Sequence, residues 1–160
     1  MRKILLFVTL LSFCVNSFAQ TPTYIRSASG ANNSFPFNTT SSNMVQNLFY
    51  ASDFVPTLPM GTITKIYYKS ATTTTSTFSI VTIKIGTTTL TGFTAGPWNT
   101  GLTTVFGPAT YSNSFVSGQW FEFVLSTPFF YDGTSNFIVE ASQTSYTSGV
   151  IIQQGSVGGN

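Results

Sequence analysis

Histidine is absent from this 160-residue sequence, and cysteine occurs once, as Cys14. Without histidine, neither a Ser-His-Asp nor a Cys-His relay can be assembled, and no His/Cys zinc site is available. Charge is scarce as well, at 6% of residues. A surface helix needs a charged or polar face opposite its apolar stripe, and this chain has little material for one. Neither a GxGxxG nor a GxxxxGK[ST] pattern occurs, so no phosphate-cradling loop is indicated. No unit of 20–50 residues recurs, which excludes a solenoid or propeller.

What the chain does contain begins with a targeting segment. Arg2 and Lys3 form a positive start, residues 4–15 an apolar run, and Ser17-Phe18-Ala19 a small-x-small cleavage site. The run is shorter than the ~20 apolar residues of a membrane span. Cleavage is expected between Ala19 and Gln20, giving a secreted or cell-surface product with no transmembrane segment in the mature chain. Arg2 and Lys3 leave with the segment, so four basic residues then balance four acidic ones. A neutral chain has no basic field for nucleic acid or anionic lipid. Cys14 also leaves, so the remaining domain (20–160) has no disulfide and must hold by packing alone.

The organising stretch is GQWFEFVLSTPFFYDGTSNFIVEAS, Gly118 to Ser142. Phe121, Phe123 and Leu125 alternate with Trp120, Glu122 and Val124, the two-residue period of a strand with one buried face. After the turn-forming run Asp132-Gly133-Thr134-Ser135-Asn136 the alternation resumes, with Phe137, Val139 and Ala141 opposing Ile138, Glu140 and Ser142. Further strands are expected at Thr62–Lys69, Thr77–Ile85, Thr88–Thr91, Leu102–Phe106 and Val150–Gln153, with a short first strand near Tyr24–Arg26. Gly86-Thr87 suggests a tight hairpin. Residues 70–77 read as exposed connection, and residues 27–45 as a long loop. QNLFYASDF, Gln46 to Phe54, reads as a short strand followed by one capped turn. This spacing predicts an all-β, antiparallel β-sandwich of jelly-roll type.

Three stretches, QNLFYASDF, GTITKIYY and GQWFEFVLSTPFFYDGTSNFIVEAS, together resemble the N-terminal jelly-roll-type β-sandwich module of secreted Bacteroidetes surface proteins exported by the type IX system. The resemblance covers most of Gln46 to Ser142 and is strongest from Trp120 to Glu140. It implies a cell-surface or secreted accessory domain, part of a longer multidomain protein, with no catalytic residues to carry over; the leading reading is a non-enzymatic module for adhesion or assembly that needs no cofactor. Such modules continue into further strands. The C-terminal end of this one is therefore expected to be incomplete, with an exposed strand edge near Phe137–Ser142 or Val150–Gln153.

Two other functions remain open on the residues. A carbohydrate-binding module would use loop aromatics, for which Trp98, Tyr111, Tyr131 and Tyr67 are the candidates. Trp120 is assigned instead to the core. A glycan hydrolase would need two carboxyl groups about 5–9.5 Å apart, and Glu122 with Glu140 is the available pair. Against that, both glutamates fit solvent-side positions on half-buried strands. The Asp132–Asn136 run could ligate a hard cation such as calcium, but it lacks the several carboxylates of such loops and suits an ordinary turn. Possible partners are thus glycans or other surface proteins.

Overall fold

The structure, a computed structural model, describes residues 21–26, 32–39, 42–93 and 97–153. The targeting segment, its Ala19/Gln20 cleavage site and the glycine-rich end at 155–160 lie outside the described residues. In chain order the strands are β1 (Asn32–Asn33), β2 (Asn43–Phe49), β3 (Gly61–Lys69), β4 (Thr74–Thr88) and β5 (Thr103–Phe115). They continue with β6 (Trp120–Tyr131), β7 (Asn136–Gln143), β8 (Ser145–Tyr146) and β9 (Ile152–Gln153). The larger sheet runs β2-β7-β4-β5, with β8 added to β4; β3 pairs with β6, and β1 with β9. Every pairing is antiparallel. The architecture is the expected all-β, sandwich-like one.

The alternation in β6 places Phe121, Phe123 and Leu125 in the core and leaves Val124 exposed. The strand nevertheless runs on to Tyr131, past Pro128. It can do so because the register against β3 shifts between Lys65↔Val124 and Ile63↔Phe129, so Pro128 falls where no ladder donor is required. β6 and β7 are consecutive but belong to different sheets, so the Asp132–Asn136 turn crosses the sandwich.

The hairpin expected at Gly86-Thr87 does not form. β4 continues through both residues to Thr88, and residues 89–91 lie in the following loop. Gly86 serves a close approach instead of a turn: a Cβ there would stand 2.7 Å from Leu102 Cδ2. β4 changes partner along its length, from β8 at Phe78–Ser79 to β7 at Thr82–Thr88. Between them Ile80 takes φ 50°, a left-handed conformation uncommon for a β-branched residue. Near Tyr24–Arg26, among the described residues, a single bridge forms, Ile25 to Val55.

Residues 70–77 are less exposed than their composition suggests. Ser70 and Ser76 are buried, and β4 already begins at Thr74. The Ser76 hydroxyl donates to the Ser148 carbonyl, and Ser70 Oγ to the Thr72 carbonyl, so short polar side chains can be enclosed without unsatisfied groups.

The expected exposed edge is also absent from the places assigned to it. β7 lies between β2 and β4. Ile152 pairs with Asn33 of β1 and forms a second bridge to Ser70. Among the described residues, the longer strands paired on one side only are β2, β3, β5 and β6. β7 is accordingly buried on both faces: Phe137 and Val139 enter the core, while Ile138 (2% exposed) and Glu140 (4%) are covered from outside. The solvent-side position expected for Glu140 is thus overturned by its central strand.

The core between the sheets is aromatic, and its centre comes from the segment read as loop. Phe37, 1% exposed, packs edge-on to Tyr68, Phe78 and Phe121 at 5.3–5.8 Å and stacks with Phe123 at 5.9 Å. Its carbonyl accepts from Val150 N at 2.8 Å. Replacing Phe37 by alanine should therefore lower stability by about 3–5 kcal/mol. Equilibrium urea unfolding checks this, and a loss under 1 kcal/mol would contradict the central position assigned to the ring.

Candidate functional site

The loop joining β4 to β5 presents large apolar side chains to solvent. It carries Leu90, Phe93 and Trp98, all exposed, Trp98 at 55%. Its fixation starts from one row of the larger sheet, in which Gln46 of β2 and Lys84 of β4 both stand opposite Glu140 of β7. The Glu140 carboxylate accepts from Lys84 Nζ at 2.7 Å and from Gln46 Nε2 at 2.8 Å. Gln46 then grips the residue after Trp98 by its backbone. Its Nε2 donates to the Asn99 carbonyl at 2.9 Å, and its Oε1 accepts from Asn99 N at 3.0 Å.

That pair of bonds mimics one rung of a β-ladder on an irregular segment. The loop is tied further along as well: Tyr50 Oη donates to the Thr91 carbonyl at 2.6 Å and Asn136 Nδ2 to the Leu90 carbonyl at 2.9 Å. With Leu102 against Gly86, these contacts tie the described residues of the loop to β2, β4 and the start of β7, beside the buried Ile138 and Glu140. The Trp98 ring is left projecting from a fixed base. The 3-10 turn that supplies Tyr50 is itself capped, since Asp53 Oδ2 accepts from Tyr50 N at 3.0 Å and pairs with Arg26 at 3.3 Å.

Glu122 and Glu140 are not brought together as a pair. Glu122 stands on β6 in the smaller sheet with Lys65 Nζ 3.0 Å away, whereas Glu140 is committed to Lys84 and Gln46 in the larger one.

The three tyrosines have separate fates. Tyr131 is fully buried, its hydroxyl donating to the Ser135 carbonyl at 2.8 Å and its ring edge-on to Phe137. Tyr111 is not in a loop but within β5, its ring 4.3 Å from Phe123 and its hydroxyl donating to the Glu122 carbonyl at 2.9 Å. Burial pushes that hydroxyl up to about 12. Tyr67 does reach the outer face of the smaller sheet, directly opposite Glu122. Partial burial and the Glu122 carboxylate raise its hydroxyl above the ordinary value.

Trp120, assigned to the core from sequence, is half-buried on this same outer face, opposite Lys69, whose Nζ lies 5.9 Å from the ring centroid. The alternation that sends Phe121 inward sends Trp120 outward, so its position was available from the period alone. Two depressions flank β3 and β6. One, about 630 Å³, has mostly apolar walls and reaches Phe49, Ile63 and Val139; the other, about 730 Å³, lies at the seam between β5 and β6.

The Asp132 turn uses its carboxylate internally. Oδ1 accepts from Thr134 N and Ser135 N, each at 2.8 Å, and Oδ2 accepts from Ser135 Oγ. These are the bonds of ordinary turn chemistry at the site weighed for a cation. Comparison with known proteins finds no matching family model, no matching curated protein and no matching solved structure.

Two outcomes are expected from this geometry. Gln46→Ala removes both bonds to the Asn99 backbone and one partner of Glu140, and should destabilise the fold by about 1–3 kcal/mol. Hydrogen exchange at the Asn99 amide should accelerate beyond the change in global stability; unchanged exchange there would refute the clamp. The second outcome concerns Asp132, whose carboxyl is held down to about 2, chiefly by the Ser135 hydroxyl and the backbone amides of Ser135 and Thr134. A depressed carboxylate stabilises the fold fully above its ordinary value of 3.8, and this contribution is lost as pH falls towards and through about 2. Carboxyl-detected NMR should give a midpoint near that lower value, with the Thr134 and Ser135 amides shifting in parallel.

Proposed function

We propose that this chain is a non-enzymatic binding module of the cell surface or exterior, serving adhesion or assembly through the loop that carries Trp98. The observation that carries this reading is an exposed tryptophan whose neighbour is clamped through both backbone groups by a buried polar row. Holding a large flat side chain in place before contact limits the ordering entropy lost on binding. A buried carboxylate with two hydrogen-bonded partners is a demanding arrangement to maintain in a chain with four acidic residues. Here it maintains the loop. The export signal and the resemblance to type IX-exported Bacteroidetes modules support an exterior location.

The test is binding of the fluorescently labelled protein to intact cells of the producing organism. Trp98→Ala should reduce the bound fraction roughly tenfold, the effect of losing a central aromatic contact. Its thermal unfolding should match the parent, because the ring is outside the core. Undiminished attachment would overturn the assignment of this loop. Glycan turnover that disappears in both Glu122→Gln and Glu140→Gln would overturn the non-enzymatic reading itself.

A further inference from the structure

β5 and β6 are consecutive strands in contact across the sandwich, yet among the described residues β5 pairs only with β4 and β6 only with β3. Side chains close the seam between them. Tyr111 Oη donates to the Glu122 carbonyl at 2.9 Å, and Ser126 Oγ to the Val105 carbonyl at 3.2 Å. At the end nearer the Val116–Gln119 turn the seam opens into the 730 Å³ groove, a size within the ordinary range for small-ligand sites.

Its walls combine flat rings with neutral polar groups. Tyr67 and Trp120 lie on one face as diagonal neighbours across β3 and β6, a separation of about 7–8 Å. Asn113 lines the opposite bank and Gln119 the end. Asn113 Nδ2 donates to Tyr111 Oη at 3.3 Å, leaving the second N–H of the amide for another acceptor. Of the full charges here, Lys65 and Glu122 pair at 3.0 Å, and Lys69 stands beside Trp120 with its Nζ 5.9 Å from the ring centroid.

We propose that this groove binds a neutral oligosaccharide, two adjacent sugar rings stacking on Tyr67 and Trp120 while Asn113 and Gln119 bond their hydroxyls. Sugar rings present apolar C–H faces to aromatic rings and hydroxyls to amides, which is the division of labour these walls offer. An anionic ligand would have to take Lys65 from Glu122 or draw Lys69 from its place over Trp120. An extended peptide adding to the free edges of β5 and β6 would have to break the Tyr111 and Ser126 bridges, whereas a sugar lies on the outer face and leaves both intact. The inference rests on the reading of the chain as a binding module, but it uses a different surface from the Trp98 loop.

The experiment titrates the purified protein with cellohexaose, laminarihexaose, xylohexaose, mannohexaose and maltohexaose, following tryptophan fluorescence and saturation-transfer NMR. At least one hexasaccharide should bind. Tyr67→Ala and Gln119→Ala, at outward positions that leave the core whole, should each weaken it several-fold, and Trp120→Ala roughly tenfold or more. Trp98→Ala should bind the sugar as the parent does. Should Trp120→Ala fail to fold, the Tyr67 and Gln119 variants decide. The groove is overturned by a panel with no binding, by binding that both of these variants leave unchanged, by loss on Trp98→Ala alone, or by capture of strand-forming peptides in place of sugars. A silent panel together with Trp98-dependent attachment to cells would refute the groove and leave the binding module standing.

Discussion

The two sheets exchange no ladder hydrogen bonds among the described residues, so the sandwich depends on what fills the space between them. That filling is aromatic and converges on Phe37, whose ring touches residues of β3, β4 and β6. Each ring contact is modest, and burial of apolar area supplies most of the gain. With Cys14 outside the described residues and few ion pairs to draw on, no covalent or electrostatic substitute is at hand. Because the Phe37 carbonyl is also bonded to Val150 N, the ends of the described chain are coupled through one residue to the centre of the core.

Where the chain uses charge, it uses it sparingly and with a structural consequence. Lys84, Glu140 and Gln46 form a row across three strands, and the row holds a loop instead of adding to the core. Leaving Glu140 without partners in this setting would be strongly unfavourable. The satisfied arrangement therefore selects one loop position over others. The exposed Trp98 is the visible end of that selection.

Serine and threonine take over much of the surface role that charged side chains have elsewhere. Thr75 with Ser114 and Thr77 with Ser112 form cross-strand hydroxyl pairs at 3.2 and 2.8 Å, on the strand that forms one bank of the groove. Hydroxyls of Tyr111 and Ser126 also bridge the seam where backbone pairing stops. Joined this way, the sheets leave a shallow polar channel between their edges, rimmed by amides and aromatic rings.

Local alternation was enough to set the strand period, and with it the all-β class, the inward faces of β6 and the capped turn after β2. Those features depend on neighbours a few residues apart, where alternation and turn chemistry act directly. The same period placed Trp120 opposite in direction to Phe121, although aromatic bulk argued for the core. Tertiary structure alone decided the rest. Nothing local separates Phe37 in its loop from an exposed ring, because its burial comes from strands tens of residues away. Gly86 looked like a turn residue, yet the approach of Leu102 is what requires it. Glu140 looked solvent-facing, yet it lies on a central strand and Gln46, distant in the chain, joins it to Asn99. Strand order and loop return are set by which apolar faces can be buried together, a property of the whole chain that no window of the sequence contains.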